Sequence, residues 1–241
     1  MTPSLEDQSG RLLRVSLCTT AKRENGPHEN EDSAAENVDT GRFAVSDGAS
    51  TAARAEVWSS LLTEAFVNGD NPLAGDTLTA LRQRWRELVC GRDLAWYAKE
   101  KLARGSAATF LGLQVDTDGY HLTAVGDSCL FHISEQKLAL VAPLTDWTEF
   151  SRFPQLVHTA PDIPIPPDHV HSTSGRLGDG DVLLLATDAV AKYLLRRHSE
   201  TGELPSILEH VADDEQFSQF VERARERGLD NDDSTVCVVW M

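Results

Sequence analysis

Four strand-like apolar runs from distant parts of the chain each begin or end at an aspartate, and this pattern constrains the fold most. The aspartates and their runs are Asp47 after 42–46, Asp127 after 120–125, Asp188 after 182–187 and Asp232 before 235–240. If the last strand runs antiparallel to its neighbours, its start lies at the edge where the other strands end. The four carboxylates would then converge at one rim of a sheet.

Carboxylates that converge need a counter-charge. Side by side, they raise one another's pKa and lose stability. Hard divalent cations with oxygen ligands remove this repulsion, and Mg²⁺ keeps several of its waters when it is bound in this way. The alternative is that each aspartate only forms a turn, because its side chain bonds nearby backbone amides. For a single aspartate the turn interpretation is stronger, whereas the joint pattern favours a metal site.

Hydrophobic periodicity predicts strands in runs and helices in pairs, with few strand–helix–strand alternations. The predicted strands are 14–17, 42–46, 108–115, 120–125, 129–133, 138–141, 182–187 and 235–240. The predicted helices are 55–66, 78–88, 96–102 and a helical region after Asp188, in which Pro205 is a first helical residue and 217–224 mark a buried face. This order favours an α+β fold with layers of helix against mostly antiparallel sheet.

The length of 241 residues fits one domain with a sizeable core. Residues 1–10 are polar and acidic and are predicted to be a disordered tail, so the single domain spans 11–241. The long polar stretch from Lys22 to Gly41 is interpreted as a functional or disordered loop. The proline-rich stretch 143–180 is interpreted either as a flap beside a site or as a long connection without regular structure.

The charge balance limits the classes of partner that the chain can bind. The chain has 22 Lys and Arg against 38 Asp and Glu, a formal net charge of −16, so neither nucleic acid nor an anionic membrane is expected to bind. The four cysteines form no CxxC pair, so a structural zinc site is not indicated. Cys129 and Cys237 lie in apolar runs and are expected to be core residues of a reduced protein. No apolar run is long enough to span a membrane, and the N-terminus does not resemble a signal peptide, so a cytoplasmic location is expected.

Five short motifs occur in the order found in PP2C-type (PPM) metal-dependent protein phosphatases. They are Asn30-Glu31-Asp32, Val45-Ser46-Asp47-Gly48, Ala124-Val125-Gly126-Asp127-Ser128, Leu185-Ala186-Thr187-Asp188 and Asp232-Asp233-Ser234-Thr235-Val236. The chain resembles this family from about residue 14 to residue 240, and its bacterial single-domain members in particular. The resemblance implies a β-sandwich of two antiparallel sheets flanked by helices, in α-β-β-α layers.

The same resemblance implies a dinuclear site for Mg²⁺ or Mn²⁺, with Asp47, Asp188 and Asp232 as the catalytic aspartates. The implied ligands are Asp47 as a bridge between both ions, the Gly48 carbonyl, Asp188 and Asp232 on one ion, Glu31 through water or Asp32 on the other side, and Asp127 with Asp188 in a third, weaker site. The implied reaction is hydrolysis of phosphoserine or phosphothreonine in a protein by metal-activated water, without a covalent intermediate.

The last motif has two possible registers. Asp232-Asp233 stands where the family has Asp-Asn, and Asp230 offers a competing register. Counting back from Thr235-Val236 favours Asp232.

Three positions depart from the family pattern. Ala49 stands where the family often has a histidine, which could act as a general acid, and Ala189 replaces the glycine of a Thr-Asp-Gly motif. Pro27 stands where an arginine commonly binds phosphate. Lys22 or Arg23 is the alternative phosphate-binding cation, the first as a point charge and the second as a bidentate donor.

These departures leave a second hypothesis, a pseudophosphatase that binds a phosphoprotein or a kinase without turnover. A phosphatase for a small phosphorylated molecule and an acidic structural module with turn-forming aspartates are further alternatives. The expected partner is a phosphorylated protein, for example a Ser/Thr kinase or one of its targets in bacterial signalling.

Overall fold

The computed structural model describes residues 5–6, 12–90, 100 and 102–241. Two antiparallel sheets form its centre, with strands numbered along the chain. The first sheet has the order β1 (Leu5–Glu6), β2 (Leu12–Thr20), β13 (Ser234–Trp240), β12 (Val182–Ala186), β8 (Cys129–Ser134), β9 (Lys137–Ala142). The second has the order β11 (His171–Gly175), β7 (Tyr120–Val125), β6 (Phe110–Val115), β4 (Arg42–Ser46), β3 (Ser33–Asn37). The short strands β5 (Ala107–Ala108) and β10 (Val157–His158) pair with each other.

The alternating side chains of β12 serve two cores. Leu183 and Leu185 pack between the sheets, together with residues of the second sheet such as Leu113. Leu184 and Ala186 belong to the core on the opposite face, beneath helices. Because successive side chains of a strand point to opposite faces, a strand without polar residues must be covered on both sides.

Among the described residues with complete elements, two pairs of helices cover the outer faces of the sheets. The helices are α1 (Ala55–Val67), α2 (Gly75–Val89), α3 (Asp188–Thr201) and α4 (Asp214–Arg225). Trp58 and Leu62 of α1 are fully buried against the second sheet. Leu194 of α3 and Phe217 of α4 are fully buried against the first sheet. The layers are therefore α-β-β-α, which confirms the predicted sandwich.

The strand register brings distant turns to one edge of the sandwich. In the first sheet Ala186 pairs with Val236 on one side and with Cys129 on the other, both antiparallel. The segments that carry three of the predicted aspartates, Asp127, Asp188 and Asp232, adjoin these paired ends. In the second sheet Ser46 pairs with Ser33, so the preceding and following residues, Asp32 and Asp47, are neighbours at the edge. The expected antiparallel direction of the last strand is confirmed.

Several elements differ from the sequence prediction. The stretch from Lys22 to Gly41 is not only a loop, because it contains the 3₁₀ turn Pro27–Glu29 and the edge strand β3. The strand predicted at 14–17 is longer, Leu12–Thr20. The excursion 143–180 includes β10 and β11, and β11 pairs with β7. No α-helix starts at Pro205, which precedes the 3₁₀ turn Ile207–His210. These polar or proline-rich segments gain their pairing from tertiary neighbours, which periodicity does not reveal.

Two further predictions concern segments that the structure describes only in part. Leu5–Glu6, inside the predicted disordered tail, forms a strand that pairs antiparallel with β2. The remainder of that tail and most of the helix predicted at 96–102 lie outside the described residues. Within the described part of the chain, no helix has the length and apolar character needed to cross a membrane.

Candidate metal centre

Asp47 extends from the end of β4 with its backbone fixed and its carboxylate free. The Asp47 N–H donates to Thr109 Oγ1 at 2.9 Å, and the Thr109 N–H donates to the Asp47 carbonyl at 2.8 Å. No hydrogen bond from a described residue reaches the carboxylate. Burial raises the pKa of Asp47 well above its usual value, and the charges of Asp32 and Asp188 raise it further.

Asp32 is the buried neighbour of Asp47 across the β3–β4 pair. Thr187 Oγ1 donates to Asp32 Oδ2 at 2.9 Å, whereas Asp32 Oδ1 is buried without a hydrogen-bond partner. Burial is the main cause that raises the pKa of Asp32 well above its usual value. An ionised carboxylate in this position needs a cation, because a buried unpaired charge is strongly unfavourable.

Asp188 and Asp127 approach from the first sheet. Asp188 is the first residue of α3, and the Ala189 N–H donates to its Oδ1 at 2.5 Å. Burial raises the pKa of Asp188 to about 7, with further contributions from Asp127 and Asp232. Burial also raises the pKa of Asp127 to about 6, against the opposing effect of Lys192. Asp127 Oδ1 is buried and has no hydrogen-bond partner.

Gly48 lets the loop before β3 approach the end of β4. A Cβ atom at position 48 would lie 2.5 Å from the Glu31 carbonyl oxygen and 2.9 Å from the Ala55 Cβ. Neither neighbour can move easily, since one is backbone and the other belongs to α1. A residue with a side chain would therefore push the Glu31 loop away from Asp47.

Asp233 has a role that the sequence analysis missed. Its two carboxylate oxygens accept hydrogen bonds at 2.8 Å from the backbone N–H groups of Lys22 and Glu31. One carboxylate thus fixes both ends of the loop that carries Glu31 and Asp32. The available signal was the tandem Asp232-Asp233, in which one residue is spare for a structural role.

Asp232 remains the candidate ligand in this turn. Its side chain is half-exposed, and its Oδ1 lies 3.9 Å from Lys22 Nζ. The competing residue Asp230 forms an ion pair with Lys192 at 2.7 Å, so it already has a counter-charge. The structure therefore favours the register in which Asp232, rather than Asp230, belongs to the site.

The structure separates the two predicted phosphate-binding cations. Lys22 Nζ lies 3.4 Å from Glu31 Oε2 and 3.3 Å from Ser50 Oγ, on the rim of the site. Arg23 instead binds Glu222 of α4 at 2.8 Å, away from the carboxylates. Burial lowers the pKa of Lys22, but the surrounding carboxylates, Asp233 first, outweigh it and raise the pKa overall. Lys22 is therefore charged at neutral pH.

The five acids Asp32, Asp47, Asp127, Asp188 and Asp232, here called the aspartate cluster, fit hard divalent cations. Within the described residues, no three His, Cys, Asp or Glu side chains converge closely enough to form a ready-made metal-binding group. The acids nevertheless act on one another electrostatically, because the charges of neighbouring aspartates add to burial in raising the pKa of Asp47 and of Asp188. Asp32 and Asp127 each have one buried carboxylate oxygen without a hydrogen-bond partner, and these free oxygens favour a metal site. A cation that keeps several of its waters is bound by free carboxylate oxygens around it. The carboxylates themselves therefore need not touch one another.

Comparison with known proteins identifies the family. The family model described as Protein phosphatase 2C matches residues 20–232, most of the chain. The chain belongs to the protein phosphatase 2C family, which confirms the family that the five motifs predicted. No curated protein is similar enough in sequence to match it.

Solved structures confirm the fold. The Mycobacterium tuberculosis serine/threonine phosphatase PstP/Ppp is 19% identical with a TM-score of 0.61, over 95% of this chain and 98% of that chain. The catalytic domain of PstP in complex with two manganese ions is 19% identical with a TM-score of 0.61, over 94% and 97%. PppA of Pseudomonas aeruginosa is 17% identical with a TM-score of 0.61, over 95% and 97%. At identities of 17% to 19%, these similarities support the fold alone.

Proposed function

We propose that this chain is a metal-dependent phosphoprotein phosphatase that hydrolyses phosphoserine and phosphothreonine. The observation that carries the proposal is a set of buried carboxylates from both sheets whose oxygens lack partners at one edge of a protein phosphatase 2C fold. Turn-forming aspartates would use their oxygens on nearby backbone amides. Asp32 Oδ1 and Asp127 Oδ1 have no such use.

The cofactors are two divalent cations, Mg²⁺ or Mn²⁺, because the aspartate cluster offers only hard oxygen donors. Asp47 follows β4, is influenced by the charges of aspartates from both sheets and is the proposed bridge, with the Gly48 carbonyl beside it. Asp188 and Asp232 would hold one ion, and the Glu31–Asp32 loop would serve the other side. Bound ions supply an acidified water and neutralise charge on the phosphoryl oxygens.

A third and weaker metal site is proposed at Asp127 and Asp188. The charge of Asp127 adds to burial in raising the pKa of Asp188, and Asp127 is buried with one free oxygen. Lys192 reduces the negative charge near Asp127. That cation explains why this pair would hold an ion more weakly than the Asp47 side.

Lys22 is the proposed phosphate-binding residue of this chain. Its ammonium group lies on the rim of the cluster, next to a polar cavity of about 410 Å³ that Asn25, His28 and Arg54 also line. An ammonium group there can neutralise a phosphoryl oxygen as a point charge. Since Ala49 offers no proton, water or the metal site would protonate the leaving alkoxide oxygen of serine or threonine.

The excursion 143–180 is proposed to be a flap beside the site. Its β10 strand pairs with β5, and Ala108 of β5 bridges to Gly48. A Cβ atom at Gly126 would lie 3.0 Å from the Gln155 carbonyl, so the segment passes close to the turn that carries Asp127. Phe153, two residues earlier, is 87% exposed and is available to contact a protein substrate.

The proposed partner is a phosphorylated protein, which includes a Ser/Thr kinase or its targets in a bacterial signalling pathway. The net charge of −16 disfavours nucleic acid and anionic membranes. A cytoplasmic location agrees with three buried free cysteines, Cys18, Cys129 and Cys237.

The test is hydrolysis of p-nitrophenyl phosphate and of a phosphothreonine peptide with Mn²⁺, Mg²⁺ or EDTA. Wild type should turn over both substrates only with metal, and Asp47→Asn should not. Asp118→Asn, a matched change at an exposed turn, should keep full activity. Folded wild-type protein that is inactive with both metals would refute the enzyme, and Mn²⁺ calorimetry would then separate a metal-binding pseudophosphatase from an acidic module.

A further inference from the structure

We propose that a cavity on the outer helix layer docks an acidic peptide segment of the phosphoprotein substrate. The cavity lies between α3 and α4, has a volume of about 430 Å³, and is called the arginine cavity below. Its guanidinium groups come from Arg197, Arg223 and Arg227. The inference rests on the phosphatase function proposed above, but the site lies apart from the aspartate cluster.

The charge of the arginine cavity is opposite to that of the molecule. Three arginines line it, and Glu203 is the single carboxylate among its described lining residues, in a chain of net charge −16. Arg223 lies in the last turn of α4 and Arg227 in the turn that follows the helix, and both line the arginine cavity. Among the described residues neither has an ion-pair partner, whereas Arg197 binds Glu200 at 2.6 Å. Two guanidinium groups are thus available to a ligand.

The floor of the arginine cavity is apolar and aromatic. Tyr193, Phe220 and Ala224 are buried there, and the His210 ring stacks on Phe220 with ring centroids 5.5 Å apart. Ligand-binding pockets combine a mainly apolar lining with a few polar groups that fix the orientation of the ligand. The arrangement fits an apolar residue flanked by aspartate, glutamate or phosphoserine, with the carboxylates or phosphate bound by the guanidinium groups.

The net negative charge of the protein does not prevent this binding. At physiological salt, charges are screened over about 8 Å, so a short peptide at the rim interacts mainly with the nearest arginines. A long polyanion or an anionic membrane extends over the acidic remainder of the surface and is repelled. The occupant of suitable size is therefore a short acidic segment of a protein.

The position of the cavity suits a substrate that also reaches the metal centre. Tyr193 and Arg197 follow Asp188 on the same helix by five and nine residues, which corresponds to about 8 and 14 Å along its axis. About four extended residues span the longer distance. The end of α4 is also joined to the metal side, because Arg225 Nη2 donates to the Asp232 carbonyl at 2.7 Å. An acidic segment about four or more residues from the phosphoresidue would reach the cavity, by the same chain-length estimate of roughly 3.3 Å per residue.

The experiment compares Arg223→Glu/Arg227→Glu with the matched control Arg84→Glu/Arg176→Glu, which changes the net charge equally on exposed arginines elsewhere. A fluorescent acidic peptide without phosphate measures docking directly by anisotropy. Phosphothreonine peptides with an acidic or a neutral extension, and p-nitrophenyl phosphate, measure its effect on catalysis. The cavity variant should bind the acidic peptide about tenfold more weakly and raise its KM by a similar factor. Circular dichroism checks the fold, and Arg223→Gln/Arg227→Gln should give a smaller loss in the same direction.

The outcomes separate this inference from the phosphatase proposal. Loss of acidic-peptide binding in the cavity variant alone, with unchanged p-nitrophenyl phosphate turnover, supports the arginine cavity. Equal losses in both double variants would show that only net charge matters, and no loss in either would overturn the docking site. A wild type that binds the acidic peptide yet lacks turnover with metal would refute the phosphatase and leave the docking site standing.

Discussion

The two ends of β12 carry buried carboxylates with opposite properties. Asp181 lies just before the strand, where its side chain accepts hydrogen bonds from the Gly178 N–H at 2.8 Å and from His132 Nε2 at 2.9 Å. Asp188 lies just beyond the other end, where its neighbours are further aspartates. Burial acts to raise the pKa of Asp181, yet its hydrogen bonds lower the pKa overall. Burial and repulsion raise the pKa of Asp188 to about 7.

This difference separates a carboxylate that stabilises the fold from one that is kept for function. A buried acid with donors on its oxygens contributes to stability when it is ionised. A buried acid that faces other acids costs stability until a cation arrives. The metal end of the sandwich is therefore expected to be the less stable end without metal.

The largest expected effect is on catalysis. Asp188→Asn should lower metal-dependent turnover of the phosphothreonine peptide by about 10³-fold, because metal coordination supplies several kcal/mol of transition-state stabilisation. The same substitution should raise the unfolding free energy in EDTA at pH 8, since it removes a buried repulsive charge. Steady-state kinetics and urea unfolding measure the two effects.

Asp230→Asn is the matched control for this prediction, because Asp230 is an exposed acid of the same region that is paired with Lys192. It should change turnover by less than about threefold, as expected of an exposed ion pair. If Asp188→Asn keeps its activity, or loses metal-free stability as Asp181 variants should, the distinction between the two ends is wrong.

The second effect is a pH dependence of metal-free stability. In the folded state the pKa values of Asp127 and Asp188 are raised to about 6 and about 7. At a pH between the pKa of an unfolded aspartate and these values, the folded state therefore binds more protons than the unfolded state. The unfolding free energy in EDTA should therefore fall as the pH rises from 5 to 8, by on the order of a few kcal/mol. Asp181, whose pKa is lowered, stays ionised in this window and contributes nothing to the change.

Urea unfolding at pH 5 and pH 8 measures this change. Asp188→Asn should show a smaller decrease than wild type, and the difference isolates the aspartate from the histidines that both proteins share. Saturating Mn²⁺ should remove the decrease in wild type, because an ion at 100 times its Kd adds about 2.7 kcal/mol. A wild type that gains stability between pH 5 and pH 8 in EDTA would contradict the raised pKa values.

The third effect tests the other end of β12. Asp181→Ala should lower the unfolding free energy by about 2–3 kcal/mol, because it leaves the buried His132 ring and the Gly178 N–H without their acceptor. Metal-dependent kcat should stay within about twofold, since no step of the proposed chemistry involves this end. Asp179→Ala, at an exposed position of the same turn, is the control and should cost less than about 0.5 kcal/mol.

The aspartate positions could be predicted because each lies at a boundary between an apolar run and a turn. That boundary is local information, and the antiparallel topology then follows from the order of elements. Asp47, Asp127 and Asp188 were predicted in this way, and the charges of Asp188 and Asp127 add to burial in raising the pKa of Asp47. The family motifs added the assignment of each aspartate to an ion, which stays a prediction.

The contacts that support the cluster could not be predicted in this way. Asp233 fixes Lys22 and Glu31 over more than 200 residues of sequence, and nothing local distinguishes it from Asp232. The edge strand β3 has the polar sequence Ser-Ala-Ala-Glu-Asn and forms only because β4 offers its backbone. Arg23 was as good a phosphate-binding candidate as Lys22 until the structure placed Glu222 beside it.

The smallest expected effect distinguishes these two cations at the metal end. Lys22→Ala should raise the KM for the phosphothreonine peptide by about tenfold, because a single point charge contributes about 1 kcal/mol or slightly more to an anion at a half-buried rim. Arg23→Ala should change KM by less than about twofold, since it only breaks an exposed ion pair with Glu222. Lys22→Arg should recover most of the loss, because the positive charge remains on the same rim. Equal effects of the two alanine substitutions would indicate that Arg23 leaves Glu222 to bind substrate. Both Lys22 and Arg23 would then bind phosphate, which contradicts the assignment of Lys22 alone.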